Sequence, residues 1–143
     1  AGVAPAQVHA RQQVFAEDVQ QRVQLMPRQA QLLVHGQAVE PLDLGVADVA
    51  VGDTYLFKYP SDNDPAILLR VAEDEVVAFS QKCTHLGCVV YFEAEEDRWH
   101  CPCHEGNFDT RTGTVISGPP PRPLGRIDVE IRDDTIWALG YQP

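Results

Sequence analysis

All four cysteines of this 143-residue chain fall in two short loops, Cys83-Thr84-His85-Leu86-Gly87-Cys88 and Cys101-Pro102-Cys103-His104, and two of its five histidines fall there with them. Thiolates and imidazoles are metal donors and cross-linkers, so this grouping points to a bound metal or to disulfides rather than to ordinary packing. It also constrains the fold. The two loops can act together only if the chain between them turns back on itself, and that chain has the pattern to do so. Val89–Glu93 and Arg98–Cys101 are β-rich runs on either side of the acidic turn Ala94–Asp97 and read as a hairpin.

The rest of the chain repeats this texture. Gln31–His35 reads as a strand turned by Gly36-Gln37. Asp53–Tyr59 alternates and ends in the breaker run Pro60-Ser61-Asp62-Asn63-Asp64-Pro65. Ala66–Val71 and Glu75–Ser80 form a hairpin around Ala72-Glu73-Asp74, and Ile127–Arg132 pairs with Thr135–Leu139 around Asp133-Asp134. Short strands at this spacing, with little helical period, predict an all-β antiparallel sandwich or barrel. The two loops and the proline run that follows span about residues 81–124, a smaller subdomain within a domain expected over 31–143. Gly118-Pro119-Pro120-Pro121-Arg122-Pro123 reads as a stiff surface loop of that domain. Residues 1–30 differ. Phe15, Val19 and Val23 recur every four residues, so this section is an N-terminal arm or a short amphipathic helix over about 10–25.

A formal charge of −10 excludes nucleic acid as a partner, because phosphate binding needs clustered Lys and Arg. It suits electrostatic docking to a basic partner, or simply solubility. No apolar run reaches the ~18 residues that a membrane span requires, and Ala1–Gln13 lacks the apolar stretch of a signal peptide.

Three uses of the loops compete. Cys83, His85, Cys101 and His104 suit a tetrahedral zinc site, at the cost of leaving two cysteines idle. Four cysteines can form two disulfides, which wastes both histidines. A [2Fe–2S] cluster held by two cysteines and two histidines, with the other two cysteines cross-linked, employs all six.

Cys83-Thr84-His85-Leu86-Gly87-Cys88 followed by Cys101-Pro102-Cys103-His104 resembles the Rieske iron–sulfur signature. More narrowly, it resembles the disulfide-containing branch found in cytochrome bc complexes and in the small subunit of arsenite oxidase. Ser117-Gly118-Pro119-Pro120-Pro121 resembles that branch's proline loop, which covers the cluster from a third side. The resemblance implies that Cys83, His85, Cys101 and His104 ligate a [2Fe–2S] cluster and that Cys88 and Cys103 form a disulfide. It makes Leu86 an exposed apolar residue that shields the cluster and meets the partner. Gly87 serves loop geometry, while Pro119 and Pro120 stiffen the cover.

Two imidazoles in place of two thiolates make the oxidised centre formally neutral rather than −2. The potential therefore rises, to roughly −150 to +300 mV against about −400 mV for plant-type ferredoxins. A ligand imidazole can also carry a proton on its other nitrogen, and His85 and His104 are the candidates for proton-coupled transfer. High-potential relatives follow the second histidine with Gly-Ser-x-Tyr, whose hydroxyls hydrogen-bond cluster sulfurs. This chain has Glu105-Gly106-Asn107-Phe108 there. Gly106 and Phe108 carry no hydroxyl, and Glu105 adds negative charge expected beside His104. All three changes predict a lowered potential. His100, next to Cys101 on a strand, is expected to face away from the cluster. His9 and His35 are expected at the surface. Trp99 and Trp137 are expected in the core, and Glu93, Glu95, Glu96 and Asp97 on a solvated turn.

The resemblance implies an electron-transfer subunit with no self-contained catalytic site. Its partners are a quinol-binding cytochrome b-type subunit and a c-type cytochrome. The alternative is the large subunit of an arsenite oxidase-like molybdenum enzyme. The implied disulfide favours a periplasmic or otherwise extracytoplasmic place, with any membrane anchor on a segment outside this chain.

Overall fold

The computed structural model describes residues 32–34 and 37–143. The arm or helix expected over 1–30, together with His9 and His35, lies outside them.

Strand β5 (Pro65–Ala72) shows how the fold is organised. Its run Ala66-Ile67-Leu68-Leu69 is buried throughout, and successive residues point to opposite faces of a strand. Ala66 and Leu68 enter one core, and Ile67 and Leu69 enter a second. Its hairpin partner β6 (Glu75–Ser80) divides in the same way, with Ala78 in the first core and Phe79 in the second. An unbroken apolar run is what a strand buried on both faces requires.

The first core fills a curled six-stranded antiparallel sheet. Its other strands are β3 (Glu40–Gly45), β4 (Thr54–Lys58), β11 (Arg126–Arg132) and β12 (Thr135–Gln142), in the order β3-β12-β11-β6-β5-β4. Leu44, Phe57, Leu68, Ala78, Ile127 and Ile136 come from all six strands and meet in this one core. Such a sheet is wrapped nearly into a barrel. A 3-10 turn, Val46–Asp48, follows β3. Two short strands, β1 (Leu32–Val34) and β2 (Gln37–Ala38), pair with each other at the start of the described chain.

The second core lies between the outer faces of β5 and β6 and a four-stranded sheet. That sheet is built of β7 (Tyr91–Glu93), β8 (Arg98–Cys101), β9 (Gly106–Asp109) and β10 (Val115–Ser117), in the order β10-β9-β8-β7. Trp99 is central, edge-on to Phe79 at 5.7 Å and tilted against Phe92 at 5.4 Å. Cys83 and Cys101 belong to this core, so the same apolar packing that supports the small sheet also seats both thiols.

The all-β antiparallel expectation holds, and the three predicted hairpins form. β2, β3, β9 and β10 were not expected, and Gln37, expected in a turn, lies in β2. β3 contains Pro41 and bends at Asp43, whose φ is 53°, so it lacks a strand's regular alternation. β9 follows directly on the loop motif, and its polar Asn107 and Asp109 hide its period.

Candidate metal centre

The first loop leaves β6 at Ser80 and is closed by its own backbone. The Cys83 N–H donates to Cys88 O at 2.9 Å, Gly87 N–H to Cys83 O at 2.8 Å, and Val90 N–H to Gln81 O at 2.8 Å. Buried Gln81 reinforces the neck by donating from Nε2 to Val90 O at 3.1 Å. Gly87 has a φ of 78° with open space where a Cβ would stand, so the turn requires glycine for backbone reasons alone. The second loop is the tip of the β8–β9 hairpin, whose last rung pairs Cys101 with Gly106. The β7–β8 hairpin returns the chain from one loop to the other, with Tyr91 opposite His100 and Glu93 opposite Arg98. A disulfide joins Cys88 to Cys103, with Cα atoms 6.5 Å apart.

The segment after β10 makes a third wall. Gly118, with a φ of 93°, lies so close to the second loop that a Cβ there would come within 2.5 Å of Glu105 O. Thr84 Oγ1 donates to Arg122 O at 2.8 Å and ties the first loop to the same segment. Pro120 is buried, while Pro119 stays exposed.

Cys83 and Cys101 are free thiols with only 5% and 2% of their surface exposed. Burial pushes the Cys101 thiol pKa up, and the neighbouring Cys83 thiol adds to this, while backbone N–H groups at Cys103 and His104 pull it down. The His85 and His104 rings meet edge to face with centroids 4.8 Å apart. His85 is half-buried, and its Nδ1 is buried with no hydrogen-bond partner among the described residues. An orphaned buried nitrogen is costly unless it binds something. Cys101 Sγ also lies within 4.8 Å of the Cys88 and Cys103 sulfurs, but those two are bonded to each other and cannot serve as thiolate donors. What remains is two buried thiols, two imidazoles and backbone amides directed at one sulfur. That set fits a mixed thiolate–imidazole iron–sulfur cluster.

The neighbours differ from expectation in two places. Glu105 was expected to bear on His104, but its carboxylate lies 3.6 Å from Nε2 of His100. The positive φ of Glu105, 58°, accompanies this placement. His100 does sit on the strand face opposite Trp99 and Cys101, as alternation requires, yet it is buried rather than exposed. Its Nδ1 lies 2.7 Å from Asn107 Oδ1, and Asn107 Nδ2 donates to Ser117 Oγ at 2.9 Å and to Glu105 O at 3.3 Å. With the Asn107 amide so oriented, the proton on this bond belongs to His100 Nδ1. Asn107 carried no sequence signal beyond its place after the motif.

The second difference concerns Gly106. A Cβ on it would come within 2.8 Å of Pro120 Cγ, so a side chain at 106 has no room while Pro120 stays in place. Phe108 is fully buried in the second core. Leu86 is 68% exposed at the loop tip. Trp99 and Trp137 are core residues, as expected, with Trp99 Nε1 donating to Thr110 O at 3.0 Å. Residues 94–97 are exposed, as expected of a solvated turn, although two of the acids, Glu93 and Asp97, also have partners. Glu93 pairs with Arg98 at 2.8 Å, and Asp97 accepts from Thr110 Oγ1 at 2.9 Å.

Residues 42–129, more than half the chain, match the family model described as "Rieske [2Fe-2S] domain". The cytochrome b6-f complex iron-sulfur subunit of Synechococcus elongatus is 36% identical over 94 residues, covering 64% of this chain and 51% of that protein. The chain thus spans about half the length of the curated relatives it matches. The soluble domain of Rieske protein II from Sulfolobus acidocaldarius superposes with a TM-score of 0.65 at 21% identity, covering 75% of this chain and 79% of that one. A chain of a hyperthermophilic respiratory Complex III superposes with a TM-score of 0.58 at 25% identity, covering 92% and 95%. The cofactor of this fold is the [2Fe–2S] cluster, and the chain belongs to the Rieske [2Fe–2S] domain family.

Proposed function

We propose that this domain is the electron-transfer part of the iron–sulfur subunit of a quinol-oxidising cytochrome bc-type complex and passes electrons to a c-type cytochrome. Cys83, Cys101, His85 and His104 hold the cluster, which supplies a one-electron carrier when bound. The observation that carries the reading is the Cys88–Cys103 disulfide joining the two loops, with the imidazoles packed together beside it. A cross-link between the two ligand loops limits their relative motion, so little rearrangement is needed when the electron arrives or leaves. His104 is exposed, so its ring is open to a partner, whereas both thiols face the core. Leu86 beside them offers an apolar contact to a docking surface. With the cluster bound, the ring nitrogen of His85 or His104 that does not ligate it would be placed to hold a proton.

The disulfide supports an extracytoplasmic, periplasmic-side location, because such bonds persist where thiols are oxidised. Among the described residues no helix is long and apolar enough to cross a membrane. Affinity purification of the native protein from membranes tests the assignment. Co-purification with a b-type haem subunit, and quinol-dependent reduction of a c-type cytochrome, are expected. Co-purification with a molybdenum-containing large subunit would replace this reading with the arsenite oxidase-like one.

A further inference from the structure

Gly106 is buried, and its backbone does not lie in the left-handed region, so the strand does not demand glycine for its conformation. It demands glycine for space. An added Cβ would stand 2.8 Å from Pro120 Cγ and 3.3 Å from its Cδ, and 3.5 Å from the Cβ of Cys101. Pro120 cannot swing aside like the tip of a long side chain, because its ring is part of the backbone. Its segment is held at both ends as well. On one side Ser117 receives the Asn107 amide at 2.9 Å, and Gly118 lies directly on the second loop. On the other, Arg122 O receives the Thr84 hydroxyl at 2.8 Å.

We propose that Pro120 is a positioning residue that sets the reduction potential of this site through Gly106. Its ring fills the volume that any side chain at 106 would need, and it brings no N–H of its own. Hydrogen-bond donors near cluster and ligand sulfurs favour the reduced, electron-rich state. With Pro120 in place no hydroxyl-bearing residue fits at 106, so the position beside Cys101 stays without a side-chain donor and the potential stays low. The hydroxyl-free Glu105-Gly106-Asn107-Phe108 sequence and the proline loop are therefore one device, and a serine cannot be restored at 106 without changing residue 120. The inference rests on Cys101 being a cluster ligand.

The test is a double-mutant cycle on the cluster-loaded protein, comparing wild type, P120A, G106S and G106S/P120A by voltammetry, EPR and iron content. The double variant is expected to load iron like wild type and to raise the potential by at least twice the sum of the single shifts. Additive shifts, or a full rise in G106S alone with full iron content, would overturn the proposal. If both serine variants lose the cluster, thermal unfolding of G106A and G106A/P120A decides. Relief of the G106A loss by P120A supports the pairing, and no relief overturns it. A wild-type protein without a Rieske-type EPR signal would fail the ligand assignment instead, which separates the two claims.

Discussion

Asn107 Oδ1 and His100 Nδ1 lie 2.7 Å apart, and through that bond the rung of the small sheet next to Cys101 is tied to the segment that covers the cluster site. Both residues are buried, so neither can exchange its partner for bulk water. Truncation by N107A leaves the His100 donor unpaired, which costs about 1–3 kcal/mol. Urea unfolding of the variant should show this loss.

The disulfide closes a separation of 15 residues that includes the whole β7–β8 hairpin. In the chain-entropy view a loop of that size contributes about 3 kcal/mol. The double variant C88S/C103S is expected to lower the unfolding free energy by about 2–4 kcal/mol. Cluster loss on mild heating, followed by the bleaching of visible absorbance, should be faster than in wild type.

Tyr59 supplies a pH dependence whose sign can be stated. Burial first, and then the charges of Glu40 and Asp128, push its phenol pKa up from 10.0 to about 12. A raised folded-state value means that the contribution is fully present below the unfolded value near pH 10. It is lost as pH rises towards 12, because the unfolded chain gives up its proton more readily. Two units correspond to about 2–3 kcal/mol. Denaturation curves from pH 9 to 12 should show this loss, and Y59F should flatten that part of the profile while costing some stability at neutral pH.

Phe108 packs in the same core as Cys83 and Cys101 and has no exposed surface. With no hydroxyl at 106 or 108, the midpoint potential is expected to lie clearly below that of a Rieske protein carrying serine and tyrosine there. F108Y is expected to raise it, at about 1–3 kcal/mol in stability for burying a hydroxyl. Voltammetry with paired unfolding curves checks both parts.

The fold class was legible because β5, β6, β8, β11 and β12 are short β-rich runs bounded by strong turn residues. Ala72-Glu73-Asp74 and Asp133-Asp134 are turns by composition alone. The loops were legible because thiols and imidazoles are too rare to cluster by accident. Two relationships could not be read from the sequence, and both depend on contacts across the fold. Glu105 is adjacent to His104 in sequence, yet a positive φ carries its carboxylate to His100. Gly106 looked like a missing hydroxyl. In space it is the complement of Pro120, fourteen positions later, and only the β9–β10 pairing brings the two together.

If His85, His104, Cys83 and Cys101 share one cluster, the two imidazoles must be coupled to its unpaired electron. Electron–nuclear double resonance on the reduced protein, prepared with and without ¹⁵N-histidine, tests it most directly. Couplings from two imidazole nitrogens are expected, with cluster loss or loss of one coupling in H85A and in H104A. A cluster without histidine nitrogen couplings, or a colourless protein containing zinc, would contradict it.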